Sequence, residues 1–159
     1  MIIDELVTDR TQSDVDRVKE LTLKWLDGSI TAEEQTEWLA GLKGAYNYTD
    51  LNRVGQAVAY LANILNASGR SVNVTAKSDW TMADIPSRTQ ETAFLRDLTL
   101  LKSGVTGDVP NVPSTLDGMT YEVANRIEQI LIAVHDSINY ERSNWEVSGI
   151  MICGTEGVL

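Results

Sequence analysis

The chain has 159 residues, a formal net charge of −10 and 43% hydrophobic residues, enough for one domain whose core takes roughly two thirds of the unfolded surface out of water. The acidity argues against a surface that grips nucleic-acid phosphates. One cysteine, Cys153, excludes an internal disulfide, and no apolar run reaches the roughly 20 residues of a membrane span.

The charge is uneven. Residues 1–45 carry ten acids against five bases, 112–159 seven against two, and 46–111 six of each. No Lys/Arg run marks a basic patch. The opening residues MIIDELVTDR place acids where a secretion signal places bases. The N-x-S/T triplets at Asn47, Asn66 and Asn73 then read as chance matches to a glycosylation pattern.

Residues 1–11 read as an extended arm whose Ile2, Ile3, Leu6 and Val7 can dock on a neighbour. A first helix is expected over 13–26, capped by Ser13 with Asp16, its stripe Val15, Val18, Leu21 and Trp25 facing a core. Asp27-Gly28-Ser29 breaks it. Thr31 and Glu34 form a capping box for a second helix running to about Leu42, with Trp38, Leu39 and Leu42 inward. The clearest helix lies in 46–66. There Leu51, Val54, Val58, Leu61 and Leu65 recur at helical spacing, Thr49 and Asp50 give a polar start, and Gly69 a stop.

Residues 67–85 are irregular, and Val72 and Val74 alternate with polar residues as in a short strand. A fourth helix follows from Pro86 to about Lys102 and buries Phe94, Leu95, Leu98 and Leu101. The stretch 103–118, rich in glycine and proline, is a long loop that wraps the surface or reaches a partner. A fifth helix over 119–142 carries the stripe Val123, Ile127, Ile130, Val134 and Ile138. From Trp145 the character changes, and 146–159 reads as an extended tail able to form a strand. The expected domain organisation is a helical domain, 1–145, and that tail.

A short echo recurs in three helices: Asp16-Arg17-Val18, Asn52-Arg53-Val54 and Asn125-Arg126-Ile127. Each arginine lies beside an apolar stripe, where its stem can cover the core while its head pairs with an acid on the next helix.

No catalytic constellation emerges. His135 is the sole histidine, and the adjacent Asp136 is expected on a different side of the helix, so the two make no dyad. Cys153 lacks a neighbour that would lower its pKa. Metal-ligand and phosphate-loop spacings are absent. No cofactor and no enzymatic activity are expected. The informative residues are aromatic. Trp25 and Trp38 lie on helical stripes and are assigned to the core, whereas Trp80 and Trp145 lie in non-helical segments where an aromatic can anchor an interface or stack on a sugar. Trp80, Trp145, Tyr46, Tyr48 and the tail residues Val147, Ile150 and Ile152 are the interface candidates. The tail can add as a strand to a sheet of another subunit.

The runs TDRTQSDVDRV (8–18), EWLAGLKGAYNYTDLNRV (37–54), SDWTMADIP (78–86) and LDGMTYEVANRIE (116–128) resemble uncharacterised proteins of phages and prophages of Gram-positive, largely gut, bacteria, associated with tail or other virion structural genes. The resemblance spans 8–145 and brings no catalytic motif. It implies a structural or attachment role in the virion, with self-association and other virion proteins as partners. The chain would be made in the bacterial cytoplasm and end in the particle. The expectation is thus an all-α bundle of about five helices serving as a tail or tail-tip protein. Two alternatives stay open: a host-surface or carbohydrate-binding module in which Trp80, Tyr46 and Tyr48 stack on a glycan, and a prophage regulatory protein that binds a host protein through its acidic surface.

Overall fold

The structure, a computed structural model, describes the backbone of residues 1–156 and the side chains of residues 1–144. A short 3-10 turn (Ile2–Glu5) precedes five α-helices: α1 (Gln12–Asp27), α2 (Ala32–Ala40), α3 (Tyr48–Ala67), α4 (Arg88–Ser103) and α5 (Tyr121–Glu156). Among the described residues there is no strand. The expected tail, 146–159, lies outside the residues whose side chains are described.

Four helix starts use one device. Thr11 with Asp14, Thr31 with Glu34, Asn47 with Asp50 and Ser87 with Gln90 form reciprocal capping boxes. In each, two N–H groups that the helix cannot satisfy gain side-chain partners. Only the Thr31 box was placed correctly from sequence. α1 starts from Thr11 and not Ser13, α3 from Asn47 and not Thr49, and α4 from Ser87, just past Pro86. α1 ends at Gly28, whose φ of +76° is cheap for glycine alone among the twenty. α2 stops at Ala40, two residues short of the expected end.

The core is three-helical. α3 packs on α4, α5 and the N-terminal 3-10 turn, and α4 packs on α5. Val54, Val58, Leu61 and Leu65 of α3, Leu98 and Leu101 of α4, and Ile127, Ile130, Leu131, Val134 and Ile138 of α5 form one buried cluster. The N-terminal arm is not free to dock elsewhere: Ile3 is part of this core, with Ile2 and Leu6 packed against it. The loop after α4 wraps the surface. Val109 is buried, Gly107 N–H donates to Ser137 Oγ at 2.9 Å, and Thr106 N–H and hydroxyl donate to Glu141 at 2.8 Å.

α1 and α2 stand beside this core. Leu21 is their only buried residue, so they add little to the core. Trp25 and Trp38 are not core residues. Trp25 is 46% exposed, and the two rings stack on each other with centroids 6.2 Å apart. Leu39 faces solvent. Ion pairs fasten the hairpin, Arg17 to Glu37 and Lys24 to Glu34, and Glu20 of α1 pairs with both cations within its own helix.

Candidate functional site

Segment 70–80, expected to hold a strand, is extended but paired with asparagine side chains instead of another strand. Asn66 holds Val72, donating to its carbonyl at 2.9 Å and accepting its N–H at 2.7 Å. Asn52 holds Trp80 in the same way, at 2.9 and 2.7 Å. Asn125 holds Arg10, at 2.9 and 3.0 Å. A primary amide has a donor and an acceptor on one plane, so it can satisfy both backbone groups of one residue. Three helical asparagines thereby pin extended chain to the bundle, and no sheet forms. Gly55 lets the segment approach, since a Cβ there would meet the carbonyl oxygen of Lys77 at 2.1 Å.

The Arg10 end of this scheme leads to a buried charge cluster. Glu128 is fully buried. It accepts from Val7 N–H at 2.6 Å, from Arg10 Nη2 at 2.8 Å and from Arg53 Nη2 at 3.0 Å. Asp50 Oδ1 accepts from both arginines, while its Oδ2 accepts the Asn47 N–H of the α3 cap. Two cations and two carboxylates thus balance inside the molecule, joining the arm, α3 and α5. Of the echoed arginines, Arg17 pairs with an acid on the next helix, α2, whereas Arg53 skips α4 and pairs with Glu128 of α5. The Arg10 guanidinium lies 5.2 Å from the Tyr46 ring centroid. Burial, with Glu128 and Asp50 nearby, pushes the Tyr46 phenol well above its usual range.

On the other side of Tyr46 lies a cavity of about 350 Å³ between α3, α4 and the 75–86 segment. Three of the sequence-derived candidates, Tyr46, Tyr48 and Trp80, line it together. Trp80 is 9% exposed and Lys77 Nζ covers its ring at 4.9 Å, while Tyr48 is 37% exposed. The remaining candidates, Trp145, Val147, Ile150 and Ile152, lie outside the residues whose side chains are described.

Asp97 is the wall residue that sequence reading missed. It falls between Phe94 and Leu101, within the stripe assigned to the α4 core, and an acid at such a position is itself a signal of a buried polar role. It is fully buried, and its Oδ2 accepts from Thr75 N–H at 2.7 Å. His135 packs near Tyr60, with ring centroids 6.5 Å apart. Its Nδ1 lies 3.6 Å from Asp136 Oδ1, while His135 is mostly covered and Asp136 faces solvent. Among the described residues, no group of three or more His, Cys, Asp or Glu could hold a metal ion, and no helix is long and apolar enough to cross a membrane.

These elements define an all-helical bundle with an attached helical hairpin and a largely apolar cavity. No family model, curated protein or solved structure matches the chain.

Proposed function

We propose that the chain is a structural protein of a phage particle, of the tail or its host-facing tip, which works by associating with itself and with other virion proteins. The observation that carries this reading is the α1–α2 hairpin. Leu23, Trp25, Leu26 and Leu39 are exposed there, Leu26 at 78% and Leu39 at 77%. Large apolar side chains gathered on a small unit with little core of its own suit burial in an assembly. Met82 and Ile85 add a second exposed apolar pair on the turn before α4. The resemblance of the 8–18, 37–54, 78–86 and 116–128 runs to virion-associated proteins supports the same reading, and nothing in it calls for catalysis.

Sedimentation velocity across a concentration series, with mass spectrometry of purified particles, tests the proposal. A defined oligomer, or the chain's presence in particles, is the expected result. A chain that stays monomeric at high concentration and is missing from particles would sink it.

A second reading, a host-surface or carbohydrate-binding module, draws on the convergence of Tyr46, Tyr48 and Trp80 on one cavity. The coverage of Trp80 weakens it, because ring stacking needs an open face. A glycan array with Trp80→Ala as control decides it: binding that the substitution abolishes supports the module, and an array without signal removes it.

A further inference from the structure

The cavity beneath Tyr48 is apolar over most of its wall, with Leu51, Val54, Phe94, Met119 and Ile127 among its residues. Two of its wall residues have polar atoms that nothing in the protein satisfies. Asp97 Oδ1 and the Tyr46 hydroxyl are buried without a hydrogen-bond partner. Buried polar atoms are nearly always paired, and an unpaired carboxylate oxygen is among the costliest exceptions. The nearest cation to Asp97 Oδ1 is Arg96 Nη1 at 3.7 Å, on a side chain more than half exposed.

The charges around the cavity point the same way. Asp84, Glu91 and Asp97 line it against a single base, Lys77. That base is already engaged, with its ammonium on the Asp79 carboxylate and over the Trp80 ring. Carboxylates around an apolar cleft focus a negative potential into it.

We propose that this cavity binds a small organic ammonium ion: a primary amine on an apolar body the size of one aromatic ring or a short alkyl chain. The ammonium has three N–H donors and a positive charge. One donor satisfies Asp97 Oδ1, and the apolar body displaces water from the Phe94 and Leu51 side of the wall. The volume lies at the lower end of the roughly 300–1,000 Å³ usual for small-ligand sites. This inference is independent of the assembly reading, which sedimentation tests separately.

Calorimetric titration of the full chain with 2-phenylethylamine, against 2-phenylethanol as the neutral match, tests it. The expected result is saturable binding of the amine at least tenfold tighter than of the alcohol. Ala93→Phe, which places a ring in the cavity from the α4 wall, abolishes binding of both. Asp97→Asn reduces the amine's advantage over the alcohol to less than threefold. Circular dichroism establishes that each variant is folded. Should Asp97→Asn not fold, the amine–alcohol comparison on the unaltered chain still decides the charge preference, and Ala93→Phe the location. Absence of saturable amine binding, equal affinity for the alcohol, or unchanged binding by folded Ala93→Phe would each overturn the proposal.

Discussion

Glu128 concentrates more of this structure than any other side chain, because it accepts from three residues, two in the N-terminal arm and one on α3, while fully buried. Burying charge costs several kcal/mol per ion unless partners and hydrogen bonds offset it. Here each carboxylate meets both arginines and a backbone N–H, and that makes the cluster intolerant of losing one member. Glu128→Ala leaves Arg10 and Arg53 facing only Asp50, and a loss of about 3–5 kcal/mol in urea unfolding is expected. The Asn52 contact is smaller but of the same kind. Asn52→Ala orphans the N–H and the carbonyl of Trp80, and about 1–3 kcal/mol should be lost in the same measurement. Gly55→Ala tests the approach rather than the bond. Its Cβ would meet Lys77 backbone at 2.1 Å, so segment 75–80 must move. A loss of about 1–3 kcal/mol is expected, with a shift in the fluorescence of Trp80.

At the scale of elements, helices with a clear apolar stripe were legible and their partners were not. Of the α3 stripe Leu51, Val54, Val58, Leu61 and Leu65, all but Leu51, which is half-buried, lie in the core. The α1 stripe has the same spacing, yet only Leu21 is buried. Periodicity reports that a face is apolar, and whether the fold covers that face depends on what packs there. The starts of α1 and α3 were misplaced because TQSD and YNYTD each offer several capping residues in succession. The valines of 70–80 alternate as a strand does, but their backbone partners are the side chains of Asn52 and Asn66, which strand patterning does not register. Asp97 was passed over because the stripe around it was read as continuous core.

The hairpin should also be the acid-sensitive element. Hydrogen bonds from Lys24, then Arg17, hold the Glu20 carboxyl below its usual range; Lys24 and Thr31 N–H do so for Glu34, and Arg17 for Glu37. Lowered values mean stabilisation that is fully present above the unfolded value of about 4.3 and is lost as pH falls through the lower folded values. Acid titration should therefore release the hairpin, and the near-ultraviolet dichroism of the stacked Trp25–Trp38 pair should collapse below about pH 4. A signal that survives to pH 2 would show that the ion pairs do not hold the hairpin. If its apolar face is the assembly surface, replacing Leu26 and Leu39 with lysine should abolish oligomers while leaving the melting temperature of the bundle almost unchanged, since both side chains already face solvent.

For the molecule as a whole, the four charges of the Arg10–Asp50–Arg53–Glu128 cluster cancel, so the net charge of −10 resides outside it. The attachment of the first ten residues to the last helix has a consequence for synthesis. Val7 and Arg10 contact a residue 121 and 118 positions further along the chain. Such a contact cannot form on the ribosome until α5 has been translated and has left the exit tunnel. α3 and α4 can pair earlier, with Arg53 and Asp50 still hydrated. The arm is made before α3, α4 and α5 yet completes its contacts last: its 3-10 turn can rest on α3 early, but a chain arrested before residue 128 leaves Ile2, Ile3 and Leu6 without their α5 cover, a target for a chaperone.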